Sequence, residues 1–126
     1  MSKTKKEIRR FLVVGFSAVA TDMAVYYILK EFCPYALAKA VSFISGTAVA
    51  YIFNKYWTFE QKQKSYSEVV RFIVVYLTTL CVNVLVNQMV LMITGWVFFS
   101  FLCATATSAT LNFLGQKWWV FKPVGV

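Results

Sequence analysis

The sequence predicts an all-α membrane protein of four transmembrane helices, arranged as two helical hairpins. Three observations lead there. Hydrophobic residues make up 60% of the 126 positions and charged residues 14%, against about 45–50% and about 25% in ordinary globular chains. The apolar residues fall into four runs, at 11–29, 35–57, 72–93 and 96–115. Each is close to the roughly 20 residues that cross a hydrocarbon core of about 30 Å. The second half of the chain, finally, repeats the first.

The first run follows the basic start MSKTKKEIRR and is interrupted only by Asp22. Positive charge ahead of an apolar run is also the pattern of a signal peptide. The run lacks a small-residue cleavage site, so a retained helix is expected. The segment Lys30-Glu31-Phe32-Cys33-Pro34 breaks it, with Pro34 placed to end one helix or open the next. The second run holds one charge, Lys39, before Lys55. A solvated loop is expected at about residues 60–70. The third run is uncharged, Thr94-Gly95 forms a tight turn, and the fourth run follows. In lipid every backbone polar group must pair internally, which leaves helices or a closed barrel. Continuous apolarity without alternation argues against the barrel.

The net charge of +8 is distributed along the membrane topology. Lys3, Lys5, Lys6, Arg9 and Arg10 precede the first run. Lys55, Lys62, Lys64 and Arg71 flank the central loop, and Lys117 and Lys122 follow the last run. Only Lys30 and Lys39 fall on the opposite side, an 11-to-2 division of the 13 basic residues. The positive-inside rule then puts both termini and the central loop in the cytoplasm. Basic residues placed beside apolar segments suit anionic headgroups, and nucleic acid is not expected as a partner. Cys33, Cys81 and Cys103 show no CxxC spacing and read as small packing residues. The chain has no His, which excludes histidine-based catalysis and His-ligated metal sites.

The internal repeat is specific in its details. Arg10-Phe11-Leu12-Val13-Val14 returns as Arg71-Phe72-Ile73-Val74-Val75 at an offset of 61, which also sets Asp22 onto Asn83. Lys55-Tyr56-Trp57-Thr58-Phe59 returns as Lys117-Trp118-Trp119-Val120-Phe121 at an offset of 62. The chain thus reads as one domain of two hairpins, at about 9–59 and 70–121. Each hairpin has two spans, so both run in the same direction. A parallel repeat about an axis along the membrane normal is expected.

Two constellations could carry chemistry. Asp22 lies about 11 residues into its helix, and a carboxylate at such depth is costly enough to need a partner or a wet cavity. Lys39 is the partner in reach, and the pair reads either as a coupling or headgroup site or as a structural ion pair. In the second half Asn83 and Phe101 stand at the matching places. The other constellation is the pair of basic-aromatic ends: Asn54, Lys55 and Trp57 with Arg10, and Gln116, Lys117 and Trp119 with Arg71. Cations at that level neutralise phosphate, and aromatic rings suit the headgroup–acyl boundary. Ordinary membrane anchoring is the competing explanation. Gly46, Thr47 and Ala50, with Thr105, Thr107, Ser108, Thr110 and Asn112, are expected to let helices approach closely. Asn83, Asn87 and Asn112 could line a cavity or bond between helices. No catalytic constellation, metal set or cofactor motif is visible, so the chain is not read as an enzyme.

The Arg-Phe start, Asp22, the stretch Ala38-Lys39-Ala40-Val41-Ser42-Phe43-Ile44-Ser45-Gly46 and the end Asn54-Lys55-Tyr56-Trp57-Thr58-Phe59 resemble the GtrA-like family. So do Asn112-Phe113 and Lys117-Trp118-Trp119-Val120-Phe121. The resemblance covers about residues 9–122. It implies a bacterial inner-membrane protein that flips polyprenyl-phosphate-linked sugar outward for cell-surface polysaccharide or cell-wall synthesis. The implied partners are polyprenyl phosphate or its glycosylated form, membrane lipids, a membrane glycosyltransferase and further copies of the chain. It carries Asp22, Lys39, Asn54, Lys55, Trp57, Asn112, Lys117 and Trp119 forward as site residues, to which the repeat adds Arg10, Arg71 and Asn83. Gln116 stands where Asn54 stands, so the two ends are not assumed equivalent. The alternatives are an accessory subunit that binds the lipid carrier or scaffolds a glycosyltransferase, and a small multidrug exporter. The strong charge bias counts against the exporter.

Overall fold

A computed structural model describes residues 2–63 and 65–121. Lys64 and Lys122, counted above among the basic flanks, lie outside the described residues. Four helices are long and apolar enough to cross a membrane, and no strand occurs among the described residues. They are α1 (Lys3–Leu29), α2 (Tyr35–Phe53), α3 (Tyr66–Thr94) and α4 (Val97–Gly115). Helices α2 and α4 each run directly into one wider π turn, π1 (Asn54–Thr58) and π2 (Gln116–Val120).

The helix ends follow local chemistry. Helix α1 begins well before its apolar run, because Lys, Glu and Arg are good helix formers. Ser2 caps it, its hydroxyl accepting from the Lys5 amide at 3.2 Å. Pro34 opens α2 rather than closing α1: it is extended, and its carbonyl accepts from Ala38 at 2.9 Å. Helix α3 starts at Tyr66, inside the stretch expected as loop, with Glu68 in the first turn where a carboxylate favours the helix dipole. Gly95 ends it at φ +72°, a left-handed geometry natural to glycine, with its amide donating to Leu91 O at 2.8 Å.

The chain forms two compact units, Met1–Lys62 and Gln63–Val126. In the first, α1 packs on α2; in the second, α3 packs on α4. Both contacts are made through small residues spaced four apart, a spacing that keeps side chains on one helix face. Along α2 these are Ala38, Ser42, Gly46 and Ala50, all buried, and along α4 they are Ser100, Ala104 and Ser108. A side chain at Gly46 would place its Cβ 2.8 Å from Ala18 O and 3.3 Å from Asp22 Cβ. At Gly115 the same atom would sit 3.0 Å from a methyl of Val75.

The threonines expected in these contacts are not among the buried residues of the two stripes. Thr105 and Thr110 are exposed and Thr47 and Thr107 half-buried, because they lie off the four-residue stripe. Thr47, Thr107 and Thr110 bond instead to carbonyls one turn back on their own helices, at 2.8, 2.8 and 2.7 Å. Cys81 is likewise exposed rather than packed inside. Large apolar side chains such as Phe16, Met92 and Ile93 point outward, the arrangement expected of helices solvated by lipid.

Gly46→Ala is expected to destabilise the first unit by about 1–3 kcal/mol, the usual cost of overpacking. Gly15→Ala, where nothing lies within 4 Å, is expected to be neutral or stabilising by up to about 1 kcal/mol. Denaturant unfolding in detergent micelles compares the two, and equal effects would contradict the close contact at Gly46.

Candidate functional site

At the end of the first unit that bears the N-terminus, α2 widens because the Phe59 amide reaches back five residues to Asn54 O, at 2.9 Å. The Gln61 amide reaches Lys55 O at 2.8 Å. A wider turn shifts the carbonyl pattern and leaves acceptors that the helix does not use. Arg10 supplies a donor. Its Nη1 donates to Trp57 O at 2.7 Å and to a Glu60 carboxylate oxygen at 3.1 Å. The guanidinium carbon lies 5.1 Å from the centre of the Trp57 ring, a cation–π distance. Lys6 reaches the same Glu60 oxygen at 3.5 Å. Inside the turn, the Thr58 hydroxyl donates to Asn54 Oδ1 at 2.8 Å, and both residues are buried.

The second unit builds the same closure from the matching residues. The Phe121 amide reaches Gln116 O at 2.7 Å. Arg71 donates from Nε to Trp119 O at 2.9 Å and from Nη2 to Val120 O at 3.3 Å. Its remaining terminal nitrogen bonds Ser67 Oγ at 3.1 Å. Phe72 packs on Tyr76 and Phe121, with ring centres 5.5 and 6.2 Å apart.

These contacts revise what the basic residues are available to do. Arg10 and Arg71 each hold a backbone carbonyl. Lys55 is only 3% exposed, with its ammonium 5.8 Å from the Tyr51 ring and 5.4 Å from the Tyr56 ring. Lys117 is half-buried beside Trp118 at 5.8 Å. Trp57 and Trp119 remain 40% and 44% exposed. An apolar groove of about 420 Å³ between α3 and α4 is lined by Val74, Val75, Thr78, Thr79, Leu111, Leu114, Gly115 and Trp119. Its volume lies within the range of small-molecule sites.

The second constellation lies deeper in the first unit. Lys39 Nζ contacts both carboxylate oxygens of Asp22, at 3.0 and 3.1 Å. The Tyr26 ring centre lies 5.8 Å from that ammonium. The Asp22 side chain is 21% exposed, with its Cβ at the α1–α2 contact, and that of Lys39 is 60% exposed, so the lysine end of the pair opens outward. Twelve residues of helix, about 18 Å at 1.5 Å each, separate Asp22 from Arg10. The two constellations are therefore distinct places on one unit. In the second unit Asn83 donates to Ser108 Oγ at 2.9 Å, a helix–helix bond. Asn112 Oδ1 is the one buried side-chain polar atom without a partner among the described residues.

Three residues at the basic ends escaped the sequence reading. Glu7 and Glu68 stand three residues before Arg10 and Arg71, and both are buried. The offset of 61 that relates the two arginines also relates these two glutamates, so their pairing was readable. Glu60 sits in the polar loop with no motif to mark it. Arg10, through its hydrogen bond, and then Lys6 hold its carboxyl below the usual carboxylate range.

Because that value is lowered, the Glu60 contact is fully formed above the ordinary glutamate value of about 4.3 and is lost as pH falls through the lowered value. A carboxyl carbon NMR titration of Glu60 should give a midpoint below the ordinary one. Arg10→Gln should raise it toward ordinary. A normal wild-type midpoint would mean that the pair does not form.

Comparison with known proteins places the chain. The family described as "GtrA/DPMS, transmembrane domain" matches residues 10–121. Uncharacterized membrane protein YngA of Bacillus subtilis (strain 168) is 29% identical over 118 residues, covering 92% of this chain and 80% of that protein. The matched segment runs from Arg10 to Phe121, so it takes in α1 from Arg10 onward, the other three helices and both π turns. This chain is a multi-pass membrane protein belonging to the GtrA/DPMS transmembrane-domain family.

Proposed function

We propose that the protein moves a polyprenyl-phosphate-linked sugar across the bacterial cytoplasmic membrane, with both termini inside, for cell-surface polysaccharide synthesis. The observation that carries this reading is the Asp22–Lys39 pair, an ion pair set within two apolar helices, with Asp22 at the helix contact and Lys39 opening outward. Ionised groups inside a membrane are expensive and rarely face lipid tails, so such a pair favours contact with a hydrated group in passage. A sugar offers hydroxyls that donate to Asp22 and accept from Lys39, and Tyr26 lies beside them. The tail of such a lipid stays in the bilayer throughout, and only its headgroup needs a polar route. The groove ending at Trp119 is a further apolar surface that a prenyl chain could follow. In this account Trp57, Trp119, Lys117, Arg10 and Arg71 meet the phosphate region, the buried Lys55 adds positive charge beneath it, Asn54 shapes π1, and Asn83 and Asn112 add polar contacts deeper in the second unit. Movement follows the substrate gradient or couples to an ion, and no bond is made or broken.

One observation favours a second reading. Arg10 and Arg71 already hold carbonyls and Lys55 is buried, which suits a subunit that binds the lipid or scaffolds a membrane glycosyltransferase without moving anything.

Reconstitution separates the two. Liposomes containing the protein should accelerate translocation of a glycosylated polyprenyl phosphate, and Asp22→Asn should slow it by about tenfold or more, a barrier change of ~1.4 kcal/mol, while remaining folded. Binding without any acceleration would overturn the carrier reading in favour of the accessory one. Unchanged transport by Asp22→Asn would remove the ion pair from the mechanism.

A further inference from the structure

Glu60 combines two features found together nowhere else among the described residues. It is the one non-glycine residue there with a positive φ, at +52°, a left-handed conformation that costs an L-residue energy and persists where surrounding contacts hold it. Its carboxylate is gripped by two cations from another element, Arg10 at 3.1 Å and Lys6 at 3.5 Å. The side chain is nevertheless 52% exposed. Exposed ion pairs of this kind are weak and easily exchanged.

What Glu60 presents to Lys6 and Arg10 is an anionic oxygen acceptor, which a phosphate monoester presents as well. The monoester carries a larger charge, about −1.5 to −2 at neutral pH, and arginine's fork of donors suits it. Arg10 is also fixed against the Trp57 ring, which is 40% exposed, and tryptophan suits the boundary where a lipid phosphate meets its chain. In the second unit the corresponding arginine, Arg71, holds two carbonyls and the Ser67 hydroxyl. At the offset of 62, the place of Glu60 is taken by Lys122, which lies outside the described residues.

We propose that Lys6 and Arg10 form a phosphate-monoester site whose internal occupant is Glu60, which swings away when the phosphate of a polyprenyl lipid enters. The lipid as ligand rests on the function proposed above; the exchange of one anion for another rests on this geometry. Arg10 keeps its bond to Trp57 O throughout, so the π turn stays closed while the carboxylate leaves. Release of Glu60 from the two cations also lets its backbone leave the left-handed region.

The test measures binding of undecaprenyl monophosphate to the full chain in phosphatidylcholine nanodiscs, with inorganic phosphate titrated in parallel. Glu60→Gln removes the competing charge and should tighten lipid binding about tenfold, equivalent to ~1.4 kcal/mol. Glu60→Gly removes the charge and the backbone strain together and should tighten it at least as much, which keeps the test open if the first variant folds poorly. Lys6→Gln should weaken binding. Glu31→Gln, which removes the other surface carboxylate of this unit, paired with Lys30 at 2.7 Å, should change nothing. Wild-type binding that stays the same in both Glu60 variants would overturn the exchange and leave the lipid-carrier reading standing. Absence of lipid binding in every form would overturn both. Tightening for inorganic phosphate alone would overturn the lipid as the site's ligand.

Discussion

Each hairpin in this protein depends on one arginine closing the carbonyls at the end of its second helix. Where α2 and α4 widen into π turns, the regular helical pairing is interrupted, and unpaired carbonyls at a membrane boundary are costly. Arg10 and Arg71 come from the partner helix of the same hairpin, so a single side chain both satisfies the carbonyl and ties the two helices together. Around that tie the neighbouring residues take fixed places: Phe59 and Phe121 are buried, Asn54 holds Thr58, and Trp57 and Trp119 are left facing outward.

Farther along each hairpin the helices are held by shape. Small residues four apart on α2 and α4 bring backbone against backbone, and Gly46 leaves no room for a methyl group. This close approach also sets where Asp22 can be, since its Cβ lies against Gly46 and its carboxylate turns toward Lys39. The second unit has the same packing with its charges removed. Ser108 replaces Gly46 and bonds to Asn83, which replaces Asp22, and Phe101 replaces Lys39. One hairpin thus has an ion pair whose lysine opens outward, while the other has a helix–helix hydrogen bond at the equivalent position. That difference locates the specific chemistry in the first unit.

The four helices, the hairpin repeat and the Asp22–Lys39 partnership were legible because each has a strong one-dimensional signal: run length, a constant offset, and one acid and one base isolated in apolar sequence. The role of Arg10 and Arg71 was not, because the same residues at the same level serve equally for phosphate or for a carbonyl. Only the π turns decide that the carbonyl has first claim, and no residue pattern in Lys55-Tyr56-Trp57 announces a five-residue hydrogen bond. The threonines misled for a similar reason. Thr47 and Thr107 are small and polar, yet they sit one position off the stripe and bond to their own helices. Glu60 had no signal at all, since its importance comes from a backbone angle and from two cations some fifty residues earlier in the chain.

Hydrogen–deuterium exchange of the full chain in nanodiscs tests the arginine closure most directly. With Arg10→Gln the amides of Phe59 and Gln61 should exchange faster than in the unaltered protein, and with Arg71→Gln the amide of Phe121 should do so. Exchange that is unchanged in both variants would contradict the closure and leave the two arginines as surface cations.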